Sequence, residues 1–208
     1  MDISIFLIID AALVITAVPL LFFIKGGNQK ASLLQRTKNE ELLEKNSIPP
    51  PQKGKILEFE KIAKISGSLI EVDELIGNWK FISVWKKNND EEDSFFSSLL
   101  RLFSANIELK KDISTEPPFE FSITVSIRFA IFAIEFSGNA YLEGEQPFLP
   151  FLFNLIQLKS GSSILFKRSL KKPLEKGHSF FALISLGESS RWLSARIQSG
   201  ALILLFKD

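Results

Sequence analysis

FEFSITVSIRF, Phe119 to Phe129, decides the fold class of this 208-residue chain. Phe119, Phe121, Ile123, Val125, Ile127 and Phe129 alternate with Glu120, Ser122, Thr124, Ser126 and Arg128. A period of two puts the sets on opposite faces of a strand, so one face is covered and the other is wet. Phe121, Ile123, Val125 and Ile127 then either belong to an ordinary core or line an apolar pocket. Working outward, Ile131–Ser137, Phe151–Leu158, Ser163–Lys167, Phe180–Ser185, Arg191–Ile197 and Ala201–Phe206 read as further strands separated by Gly, Pro, Ser or Asn. Trp79, Phe81, Ser83 and Trp85 share a face of an earlier one. Many short strands with few helices indicate a mainly β barrel or sandwich.

Helical signals are sparse. Phe96, Leu99, Leu100 and Phe103 recur at helical spacing behind Asp90-Glu91-Glu92-Asp93, which predicts a short helix over about Ser94 to Phe103 with acids at its positive end. Val72 to Ile76 reads as one helical turn, and Ile56 to Ser66 as an amphipathic helix or an entering segment. Between these ends lies Gly77-Asn78-Trp79, and Arg196-Ile197-Gln198-Ser199-Gly200 precedes the last strand. Trp79 and Arg196 are expected to meet where the barrel closes, the guanidinium covering the indole. Gly77, Trp79 and Arg196 would form a latch for the fold rather than touch a ligand.

Leu75-x-Gly77-x-Trp79 at one end, and Arg196-Ile197-x-x-Gly200 with Ala201 to Phe206 at the other, resemble the plastid lipid-associated proteins, or fibrillins. The resemblance spans residues 75–206 in outline. Ser194 and Ala195, just ahead of the arginine, depart from it, and the basic Gly-rich turn is reduced to Gln198-Ser199-Gly200. It implies a lipocalin-like antiparallel β-barrel with one short helix, sheltering apolar molecules at photosynthetic (thylakoid) membranes without catalysis.

Ile3 to Ile24 is a continuous apolar run, interrupted by Asp10 and Pro19, and the basic residues Lys25, Lys30, Arg36 and Lys38 follow it. Twenty-two residues reach about 33 Å as a helix, enough to cross a bilayer. No basic residue precedes the run and no small-residue cleavage site follows, so it reads as an uncleaved transmembrane anchor rather than a signal peptide. The basic flank places the remainder on the cytoplasmic side. Residues 1–24 are thus an anchor, 25–55 a helical and Pro-rich linker ending near Pro49-Pro50-Pro51, and 56–208 the β-barrel domain.

Twenty-five basic and 24 acidic residues leave no global field for nucleic acid. With no cysteine and one histidine, His178, neither a Cys–His nucleophile nor a histidine-rich metal site is available. No phosphate-binding, dinucleotide-binding or nucleophile-elbow motif is present, so no enzyme and no cofactor are expected. Lys167, Arg168, Lys171 and Lys172 sit in the densest basic patch, which reads as a solvated loop or as a contact to anionic headgroups. Two functions remain. One is a membrane-tethered module holding an apolar guest (a lipid, carotenoid or quinone). The other is an anchored assembly factor with a solid core, docking a membrane protein complex through exposed phenylalanines.

Overall fold

The computed structural model describes residues 51–87, 91–112, 120–144, 147–170, 179–187 and 191–208. The apolar run 3–24, the linker up to residue 50, Lys171, Lys172 and His178 lie outside them. Among the described residues no helix is long and apolar enough to cross a membrane. Residues 50–208 form one compact unit.

The elements are α1 (Lys53–Ser66), α2 (Val72–Leu75), β1 (Gly77–Trp85), α3 (Ser94–Leu102), β2 (Asn106–Lys111), β3 (Phe121–Phe129), β4 (Phe132–Ala140), β5 (Phe148–Ser160), β6 (Ser163–Ser169), β7 (Ser179–Leu186), β8 (Trp192–Ile197) and β9 (Leu202–Lys207). The strands form one antiparallel sheet in the order β4-β3-β2-β1-β9-β8-β7-β5-β6, and an added β4–β5 pairing closes it nearly into a ring. Strand β2 went unread in the sequence because only Ile107 and Leu109 carry its alternation between Asn106, Glu108, Lys110 and Lys111.

Alternation sorts the side chains of this sheet into two sets. Trp79, Ile107, Val125, Phe136 and Ile156 face one another across successive strands and point inward. Below that row Phe121, Ile123, Phe153 and Leu109 are fully buried. Phe151 stacks on Phe181 at 5.0 Å and tilts against Phe153 at 5.1 Å, which in turn meets Phe136 at 5.7 Å. The lower interior is therefore filled by aromatic rings in contact geometry.

Outside the ring, two coverings differ in chemistry. Over β2–β4 the outer face is polar, with Ser126 donating to Asn106 at 2.6 Å and Thr124 to Ser137 at 3.3 Å. Over β1, β7, β8 and β9 the outer face is apolar, and Trp85, Ile184, Trp192, Leu202 and Leu204 form a second core with Ile56 of α1. Phe59 stacks on Trp192 at 6.1 Å. Helix α1 ends at Gly67, whose N–H makes the last helical bond to the Ala63 carbonyl and whose φ of +78° then turns the chain out of the helix.

The ring is incomplete where β1 runs past its short partner. Strand β2 pairs with β1 only as far as Lys80. Above that point α3 serves the exposed edge: Ser97 Oγ accepts from Val84 N–H at 2.9 Å, the Asp93 N–H donates to Val84 O, and Arg101 donates to Ile82 O at 3.0 Å. Asp93 caps the helix by accepting from Phe96 N–H at 3.0 Å, and the Lys86 ammonium with that N–H holds its carboxyl below the ordinary aspartate range.

Candidate functional site

Strand β5 positions the most unusual surface. Its first residues, Phe148–Phe151, pair with β7, and Leu155–Ser160 pair with β6 instead. Strand β4 follows β5 along nearly its whole length. The upper halves of β3, β4 and β5, with β6, therefore rise beyond the closed part of the ring as a four-stranded flap.

Inner-face residues keep their apolar character up this flap while losing cover. Phe121 and Ile123 are fully buried, Val125 and Ile127 are half-buried, and Phe129 is exposed. Across the flap, Ile127, Ile134, Leu158 and Phe166 form one row by strand register. Phe129 and Phe132 form the row above, and Phe129 also meets Phe103, next to α3, edge-on at 5.7 Å. Of the four residues expected to line a pocket, Phe121 and Ile123 stand in the packed interior, whereas Val125 and Ile127 stand where it opens.

The latch residues are not brought together. Trp79 pairs with Lys207 at the end of β9, and Arg196 pairs with Leu202 at its start. Leu202 and Lys207 are five residues apart, an odd step, so Trp79 and Arg196 lie on opposite faces as well as about 17 Å apart along the strand. Lys207 takes the place expected of the arginine, with Nζ 5.1 Å from the Trp79 ring centroid and donating to Glu74 O at 2.9 Å. Trp79 Nε1–H donates to Leu75 O at 2.8 Å, which ties α2 across the lower end. Gly77 has φ +142°, a backbone setting that glycine tolerates, and its α-carbon faces the Lys207 stem.

Arg196 serves the outer core instead. It donates to Glu60 of α1 through Nε at 2.7 Å and Nη2 at 2.5 Å, and to Gly200 O at 2.6 Å. A signal for this pair was present in the sequence: Ile56, Glu60 and Ala63 share one helix face, and a carboxylate in an apolar stripe needs a cation opposite it. The Arg196 hydrogen bonds hold the Glu60 carboxyl below the ordinary glutamate value, against the opposing effect of burial. Replacing Glu60 by Gln should cost about 2–3 kcal/mol, less than for a fully buried pair because the Arg196 side chain keeps 26 % exposure. Since the folded-state pKa is depressed, the pair stabilises fully above the unfolded glutamate pKa. The contribution declines as pH falls below that value and is gone once Glu60 is protonated. Denaturant titrations between neutral and acid pH should therefore show a shallower acid decline in Glu60→Gln than in wild type.

Lys167 and Arg168 lie on exposed β6, pointing to opposite faces of the flap. Among the described residues no group of three His, Cys, Asp or Glu side chains is placed to hold a metal ion. Comparisons with family models, curated proteins and solved structures gave no match in any of the three.

Proposed function

We propose that residues 50–208 form a non-catalytic, lipocalin-like module that holds an apolar molecule against the inner wall of the flap, tethered to a membrane by the apolar run 3–24. The observation that carries this reading is the continuation of the inner apolar face past the packed interior, through Val125, Ile127, Ile134 and Leu158, which are all only half-buried. Burying such a surface stabilises a complex by about 25 cal/mol per Å². An apolar pocket with few polar groups suits a lipid, a quinone or a carotenoid. On this reading the domain stays on the cytoplasmic side of its membrane, the thylakoid being the setting the fibrillin resemblance suggests.

Native mass spectrometry of the full chain, extracted from its own membranes in mild detergent, tests this. We expect a non-covalent apolar small-molecule adduct that survives purification and is extracted by organic solvent. A chain that arrives bare under conditions retaining the folded charge-state envelope contradicts the proposal. The assembly-factor reading draws on the exposed phenylalanines and would be favoured by a bare chain co-purifying with one stoichiometric protein.

A further inference from the structure

We propose that the tip of the flap docks on an anionic bilayer surface. Two adjacent turns form this tip. The β3–β4 connection is a two-residue turn, Ala130-Ile131, flanked by paired Phe129 and Phe132. The β5–β6 turn lies beside it, with Gly161 N–H donating to Ile131 O at 2.8 Å. Turns facing water are ordinarily built from Gly, Asn, Asp or Ser. Here Ala130 adopts φ +52°, a setting glycine or asparagine usually fills, and Ile131 is 65 % exposed. Ile164, Leu165 and Phe166 of β6 extend the exposed apolar surface down one side.

Charge complementarity selects the occupant. Segments 125–137 and 156–169 contain one carboxylate, Glu135, and Lys159 pairs with it at 2.5 Å. Arg128, Lys167 and Arg168 remain, all exposed and distributed over both faces of the flap. Lys167 and Arg168 pair with Gln157 and Ile156, three and four residues below Ser160, so they sit about 10–14 Å beneath the tip. Apolar side chains at a leading edge with a cationic collar behind match the acyl and headgroup layers of an anionic membrane, where long basic side chains reach the phosphates. This deepens the proposed function, since the wall that would hold the guest begins at the same tip.

The chain has no cysteine, so single labels are unambiguous. Ile131→Cys, carrying an environment-sensitive fluorophore, is reconstituted as the full chain in phosphatidylcholine vesicles with or without phosphatidylserine. Lys110→Cys, on the outer face of β2 below the flap, is the control. Spin-labelled lipid should quench the label at 131 with phosphatidylserine present, and the control far less. Each of Lys167→Gln and Arg168→Gln should lower the docked-to-free ratio about fivefold. Val125→Trp should leave quenching unchanged, which separates this result from the fate of the bound guest. Quenching at 131 no greater than at 110, or indifferent to phosphatidylserine and to both charge removals, overturns the proposal. So does label self-quenching that rises with protein density, which would assign the tip to a second copy of the chain.

Discussion

Gly138→Ala should destabilise the domain by at least about 3 kcal/mol, the upper end of ordinary overpacking, because the obstacle is backbone. A β-carbon at this position would lie 1.8 Å from Leu152 O and 2.7 Å from Phe153 Cα. Neither atom can swing aside as a side chain would. Gly138 stands at the register shift between β4 and β5, the pairing that closes the ring. Forcing these strands apart also separates Phe136 from Phe153, so the loss propagates into the packed interior. Gly54→Ala supplies the control. Its β-carbon meets nothing within 4 Å, and in a helix the change should stabilise by about 0.5–1 kcal/mol. Thermal melts of the two variants should move in opposite directions.

Trp79→Ala should cost about 3–5 kcal/mol, as for a buried large-to-small change. Its indole is 0 % exposed and anchors α2 through Leu75 O. For a domain of this size that is a fall in Tm of roughly 10 °C. Lys207→Met keeps the stem over the ring but removes the ammonium, so it should cost far less, about 0.5–2 kcal/mol. Coupling separates the present account from the expected latch. Trp79 and Arg196 lie on opposite faces and at opposite ends of β9, so Trp79→Ala and Arg196→Ala should add within about 0.5 kcal/mol. Trp79→Ala and Lys207→Met share a contact and should not.

The alternation from Phe119 made β3 legible because the inside of the ring is apolar and the outer face beside it polar. Helix α3 was legible for a related reason: acidic residues and a capping Asp93 precede a one-sided apolar stripe. Strand β5 was read too short. Pro150 looked like a break, yet it belongs to the segment where β5 pairs with β7, before β5 changes partner to β6. That change of partner creates the flap, and no local pattern encodes it. Arg196 was expected over the Trp79 indole, and the structure places it on Glu60 instead. A sequence shows that two residues flank the closing strands, whereas their face and level depend on register, which one bulge at Phe81/Ser83 alters. For the same reason the expected pocket residues divide: the strand pattern makes Phe121 and Val125 equivalent, and only ring closure below the flap buries one and opens the other.

Whether the upper inner wall holds a guest is tested most directly by filling it. Val125→Trp, in the full chain purified from its own membranes, is compared with wild type by native mass spectrometry and thermal melting. We predict that wild type carries the apolar adduct, that the variant loses it, and that the variant's unliganded fold melts within a few degrees of unliganded wild type, because a half-open wall accommodates the larger ring. A bare wild type, together with a Val125→Trp variant strongly destabilised by overpacking, would show that this wall is already filled by the protein itself.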